Sequence, residues 1–212
     1  MDKEFWRERW ANNQIAFHEG KPNALLIRNF SALQLRPGQR IFVPLCGKAT
    51  DIPWLMSQQC RVAGVELSET AVKQLFDEIG VQPAISESES MKCYSARNID
   101  VFVGDLFELT SDVLGPVDAI YDRAALVALP AAMRQRYAQQ LVEITNAAPQ
   151  LLISFDYDQE MMEGPPFSVD EAEITSHYQN VYEIQLVEAY QYPTLLKGVS
   201  VATENAWLLS TR

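Results

Sequence analysis

The sequence predicts an α/β fold: a doubly wound, mostly parallel seven-stranded sheet that ends in an antiparallel hairpin. Two observations carry this expectation. From Arg40 onward, short β-branched and aromatic runs alternate with helical patterns, which is how a parallel sheet covered on both faces reads. Near the end, two strand-like segments are separated only by a loop-like stretch, and without a crossover helix such a pair must run antiparallel.

Residues 1–39 precede the first strand and read as an N-terminal helical extension of the domain. Trp6 and Trp10 lie four apart, so they share one helix face, and Phe17 follows. Two readings stay open: an amphipathic helix packed on the sheet, or a lid whose aromatics close over a ligand. RIFVP (40–44) is the first buried strand, IPWLMSQQ a helix and RVAGVE (61–66) the second strand. SETAVKQLFDEIG follows as a helix with Ser68 as its N-cap and Gly80 as its stop. SESESMKCYSARN (86–98) is polar and poorly periodic, and reads as an exposed loop. DVFVG, VDAIY and LLISF are three further strands, with MRQRYAQQLVEI as a helix between the last two. VYEIQLVEAYQY and ENAWLLST form the terminal hairpin around PTLLKGVSVAT. A dinucleotide-binding dehydrogenase would continue with strand–helix–strand units instead, so the hairpin favours a methyltransferase topology. No repeat, low-complexity tract or linker interrupts the chain, and 1–212 reads as a single domain.

The bulk composition narrows the partners. Of 212 residues, 48% are hydrophobic and 21% charged, which suits a globular chain with a sizeable core. A net charge of -11 and no stripe of Lys and Arg argue against a nucleic-acid backbone as partner. Three cysteines without Cys-x-x-Cys spacing fit a reducing compartment rather than a disulfide framework, and with only two histidines a metal site is not expected. The first residues lack the apolar core of a signal peptide, and no apolar run approaches the ~20 residues needed to span a bilayer. A cytoplasmic monomer with a small-molecule ligand, no membrane partner and no metal is the expectation.

In open parallel sheets, ligands bind beyond the carboxyl ends of the central strands, so the residues after each strand carry the chemistry. PLCGKATD after the first strand has one glycine where a dinucleotide turn wants three. Lys48 lacks the spacing of a phosphate loop. After the second strand comes Glu66, roughly 20 residues past the turn, where an acid accepts from both ribose hydroxyls of an adenosine ligand. The competing reading is a Glu that caps the following helix. Asp105, with Leu106, follows the third strand and is placed either to receive the adenine amino group or to cap the next segment. After the fourth strand, Tyr121-Asp122-Arg123 replaces the Asn/Asp-Pro-Pro-aromatic motif of enzymes that methylate base amino groups. Gly164-Pro165-Pro166-Phe167 resembles that motif but follows the fifth strand. Arg123 offers a planar guanidinium for a carboxylate, of the cofactor or of the acceptor, unless it forms a structural ion pair with an acid such as Asp122.

Taken together, W-x-x-x-W with Ala16-Phe17-His18, FVPLCGKATD (42–51), VAGVELSE (62–69), DAIYDRAALVALP (118–130) and GPPF (164–167) resemble the thiopurine S-methyltransferase family, in its shorter bacterial branch, over nearly the whole chain. The resemblance implies a class I fold dependent on S-adenosylmethionine, with S-adenosylhomocysteine as product, and S-methylation of aromatic and heterocyclic thiols such as thiopurines. It also implies cofactor contacts at Trp10, Leu45, Glu66, Asp105, Leu106 and Arg123, and an acceptor pocket lined by Phe17 and Arg123, with Arg123 the residue at the reaction. A basic acceptor-side residue expected around 192–198 has no clear match, Lys197 being the cation there. Methylation of selenium or tellurium species is the alternative within the same donor site, and a non-catalytic cofactor-binding assembly module the alternative outside catalysis. Asp122 is the candidate if a proton acceptor is needed.

Overall fold

The structure is a computed structural model that describes residues 3–12, 14–15, 18–88, 91–191 and 202–212. In chain order its elements are α1 (Lys3–Ala11), α2 (Ala24–Asn29), β1 (Arg40–Val43), α3 (Asp51–Ser57), β2 (Arg61–Glu66), α4 (Glu69–Ile79), β3 (Ala84–Glu87), β4 (Lys92–Ala96) and β5 (Ile99–Val103). There follow α5 (Ser111–Leu114), β6 (Ala119–Arg123), α6 (Ala131–Ile144), β7 (Gln150–Asp156), α7 (Glu171–Tyr178), β8 (Tyr182–Gln191) and β9 (Thr203–Thr211). They fall into two compact units, one of Met1–Ala24 with Leu35–Asp118, the other of Leu25–Gln34 with Ala119–Arg212. The N-terminal extension is thus divided, its first part in the first unit and Leu25–Gln34 in the second.

In the first unit the strands lie in the order β3-β4-β5-β2-β1. β1 and β5 each run parallel to β2, and Arg40 faces Arg61 across one ladder while Glu66 faces Val103 across the other. Ile41, Phe42, Val43, Val62, Ala63, Val65 and Val101 are all buried, the near-continuous apolar run of strands covered on both faces. Helix α4 lays Ala71, Val72, Leu75 and Phe76 into this core. The expected caps are present: the Ser68 hydroxyl accepts from the Ala71 amide, and Gly80 ends the helix with a left-handed φ of 76°.

The stretch read as a loop is instead an antiparallel hairpin, with β3 on β4 and β4 on β5. Its strands are polar and β3 is exposed throughout, so no alternation marks them in the sequence. Pairing with β5 and burial of Tyr94 hold them in place, a tertiary effect that outweighs local propensity. Two residues, Arg97 and Asn98, join β4 to β5, with Asn98 at φ 66°, a left-handed conformation that asparagine tolerates.

The second unit orders its strands β6-β7-β9-β8. β6 and β7 are parallel, and β9 runs antiparallel between β7 and β8, which is the expected terminal hairpin. A register irregularity at Leu186/Glu188 interrupts the outer strand β8. Helix α7 was not expected from the sequence. Asp170 caps it by accepting from the Glu173 amide, and an Asp-x-x-Glu start is the local signal that marks it. Leu25–Gln34 is fastened to β8 through Glu188, which accepts from Arg28 Nε at 2.8 Å and Asn29 Nδ2 at 2.7 Å. Among the described residues no helix is long and apolar enough to cross a membrane.

Candidate active site

In the first unit, three strand ends meet around one carboxylate. β1 leaves the sheet through Pro44-Leu45-Cys46-Gly47, with Leu45 at φ 46° and Gly47 at φ 51°. The Cys46 amide donates to the Val65 carbonyl at 3.0 Å, which pins this turn to β2. Glu66 ends β2 and is 6% exposed. Its Oε2 accepts from the Gly47 amide at 2.9 Å and its Oε1 from the Ser68 amide at 2.8 Å. Its backbone carbonyl accepts from the Gly104 amide at the end of β5. Burial raises the Glu66 pKa, while the amides of Ser68, Gly47 and Leu67 oppose that rise by favouring the charged form.

Glu66 is therefore neither an exposed residue nor the helix cap, since Ser68 performs the capping. Each carboxylate oxygen has about two acceptor positions, and one backbone amide on each leaves acceptor capacity on both. A pair of adjacent hydroxyls suits that arrangement. The Cys46 thiol lies in the same cradle, and burial followed by the Glu66 charge pushes its pKa well up. It stays a thiol and packs so close to Gly64 that a Cβ there would sit 2.8 Å from its sulfur. Lys48 is paired with Glu78 at 2.6 Å, away from any phosphate role.

Trp10 is 5% exposed and lies over Gly47. A Cβ at Gly47 would meet the indole Cζ2 at 2.8 Å, and its left-handed φ independently favours glycine. Gly47→Ala is accordingly expected to push Trp10 off the turn. The checks are a shifted tryptophan emission and faster amide exchange in α1, each reading near wild type if the contact is unimportant.

Beyond β5, Asp105 Oδ1 accepts from the Phe107 amide at 3.0 Å and caps the short 3₁₀ turn begun by the buried Leu106. The capping reading of Asp105 is thus realised. Phe17, and the 192–198 stretch with Lys197, lie outside the described residues.

In the second unit, Arg123 is the last residue of β6 and is half-buried, opposite Ile153 of β7. Asp122 is fully buried, and successive strand residues point to opposite faces. Its Oδ1 accepts from the Leu126 amide at 3.1 Å and its Oδ2 from the Tyr137 hydroxyl at 2.8 Å, with Gln150 Nε2 at 3.4 Å. Burial pushes its pKa up to about 6 against the pull of these donors. A carboxylate enclosed in this way is a poor acceptor for a substrate proton, so the geometry disfavours the base role considered for Asp122. GPPF is held as a loop after β7: Phe167 donates its amide to the Val127 carbonyl at 2.7 Å, and Tyr157 donates its hydroxyl to the Pro166 carbonyl at 2.6 Å.

A family model described as thiopurine S-methyltransferase matches residues 1–211. The chain belongs to the thiopurine S-methyltransferase family. It is 50% identical over 210 residues to the thiopurine S-methyltransferase of Xanthobacter autotrophicus, covering 99% of each chain. It is 47% identical over 216 residues to that of Acinetobacter baylyi, covering 100% of each. Among solved structures, a SAM-dependent methyltransferase from Anabaena variabilis aligns over 99% of this chain and 95% of its own, with a TM-score of 0.66 and 13% identity. Magnesium protoporphyrin IX methyltransferase from Synechocystis, with S-adenosylhomocysteine bound, aligns over 100% of both chains, with a TM-score of 0.64 and 13% identity. At that identity the two structures establish the fold, that of class I methyltransferases. As a thiopurine S-methyltransferase family member, the chain is a methyltransferase that uses S-adenosylmethionine.

Against this family frame, sequence reasoning missed the Ser68 amide as a partner of Glu66, and the Tyr137–Asp122–Gln150 cluster. Spacing announces neither: one contact is a backbone group, and the other joins residues 15 and 28 positions apart.

Proposed function

We propose that this chain S-methylates aromatic and heterocyclic thiols, with the donor's adenosine held in the first unit. The observation that carries the donor site is the buried Glu66 carboxylate, tied to two backbone amides and retaining acceptor capacity on both oxygens. In this reading Glu66 takes the ribose hydroxyls, Asp105 and Leu106 the adenine, and Leu45 and Trp10 the flank of the cofactor. Arg123, with Phe17, takes the acceptor side, where the guanidinium holds a carboxylate or the anionic sulfur. The thiol preference draws support from the names of the relatives at 50% and 47% identity.

S-adenosylmethionine supplies a methyl group on a sulfonium centre, so the acceptor S–C bond forms as the donor bond breaks and the donor's positive charge is lost. The chain's task is to hold its ligands in line, at about 3–3.5 Å between reacting atoms, and to keep water out. Aromatic thiols and heterocyclic thiones are ionised, or readily so, near neutral pH, so no residue needs to abstract a proton. That agrees with Asp122 being committed to internal hydrogen bonds.

The test is turnover with radiolabelled donor against a panel of aromatic thiols, aliphatic thiols, selenite and tellurite. Transfer confined to the aromatic and heterocyclic thiols is expected. Faster transfer to the selenium or tellurium anions would replace the thiol reading while leaving the donor site intact.

A further inference from the structure

We propose that Asp122 is a positioning residue for Arg123: its buried carboxylate fastens the turn at 124–126 and so fixes the direction in which Arg123 leaves β6. The inference rests on the reading of Arg123 as the acceptor-side residue. The chain turns sharply straight after Arg123, with Ala124 at φ 59°, a left-handed conformation that a non-glycine residue holds only when its surroundings enforce it. Asp122 supplies that enforcement. Its Oδ1 takes the Leu126 amide at 3.1 Å, and the Ala125 amide adds to the hold. Oδ2 is anchored by the Tyr137 hydroxyl of α6 at 2.8 Å and by Gln150 of β7 at 3.4 Å. The turn beyond Arg123 is thereby tied to a helix and to a neighbouring strand of the same unit.

An ionised carboxylate accepts all of these bonds, whereas a protonated one must turn one oxygen into a donor. The titratable groups facing Asp122 are Tyr137 of α6 and Tyr178 of α7, and burial pushes both well above the ordinary tyrosine range, so they remain protonated. With Asp122 at about 6, methyl transfer should fall as pH drops through that value. The fold should not fall with it. A carboxyl raised from 3.8 to about 6 contributes stability that is present below its unfolded value and lost as pH rises through the folded one. Acidification therefore favours the fold through this group while it loosens the turn.

The experiment measures kcat/KM for the acceptor against pH in wild type, Asp122→Asn, Tyr137→Phe and Arg123→Ala. S-adenosylmethionine is held at concentrations that saturate the donor site at every pH, so that Glu66 titration does not enter. The acceptor is 5-thio-2-nitrobenzoate, an electron-poor aromatic thiol that stays ionised over the range, and melting temperatures are taken at the same pH values. Wild type should show an acid limb near the Asp122 value without a matching fall in melting temperature. Tyr137→Phe removes the donor that favours the charged form, and should move the limb up by about half to one pH unit. Asp122→Asn should lose the limb and about three- to tenfold in rate at neutral pH, because its amide keeps only some of the bonds. If Asp122→Asn does not fold, the Tyr137→Phe shift decides alone. An unmoved limb in Tyr137→Phe, with Arg123→Ala inactive, overturns this inference and leaves the reading of Arg123 standing. Normal turnover by Arg123→Ala overturns both.

Discussion

Glu66→Ala is expected to weaken S-adenosylmethionine binding by on the order of 100-fold or more. The substitution removes acceptors from two ribose hydroxyls, worth about 1.5–3 kcal/mol together when charge-assisted. It also frees the Gly47 and Ser68 amides, which now hold the cradle in shape. Glu66→Gln should be nearly as damaging. Whichever way the amide is turned, its NH₂ faces one of those two backbone donors, so a donor meets a donor in a buried site. Isothermal titration with S-adenosylhomocysteine measures both variants, and unchanged affinity in either folded protein would remove Glu66 from the ribose site. Because burial raises the Glu66 pKa, cofactor affinity should fall on the acid side as the carboxylate takes up a proton. By the same linkage, its charge is a cost to the ligand-free fold that acidification relieves, so affinity and stability part company.

Arg123 should show the second large effect. Arg123→Lys keeps the charge but loses the planar two-pronged donor, and should lose about 10-fold or more in rate. Arg123→Ala should lose about 2–3 kcal/mol of transition-state stabilisation, near 100-fold in kcat/KM. Arg123→Glu should fail most completely, since it sets a negative charge against an anionic sulfur or carboxylate. Single-turnover methylation of an aromatic thiol, with melting temperature alongside, separates this from a structural role. If Arg123→Ala melts far lower yet turns over normally, Arg123 is an ion-pair partner and the acceptor assignment is wrong. The Asp122 carboxylate beside it in sequence accepts from the Leu126 amide and the Tyr137 hydroxyl.

The sequence by itself determined the strand–helix alternation, the terminal hairpin and the identity of the residues at the strand ends. Those are local properties: apolar runs such as 41–43 and 62–65 are buried wherever a covered sheet forms, and Ser68 and Gly80 cap α4 through contacts a few residues long. It also placed Glu66, because the end of a strand is legible from the run that precedes it. Tertiary structure alone decided the rest. The β3–β4 hairpin has no pattern of its own and exists through pairing with β5. The competing reading of Glu66 as an exposed helix-start residue is removed only when the turn after β1 is folded back on it, bringing the Gly47 amide to 2.9 Å across 19 positions. Asp122 reads as an ion-pair partner or a candidate proton acceptor until α6 and β7 close over it and bring Tyr137 and Gln150 to its second oxygen. The physical reason is the same in each case. Burial and hydrogen bonding between segments distant in sequence set the charge state and direction of a polar side chain, and periodicity records only which face of its own element it occupies.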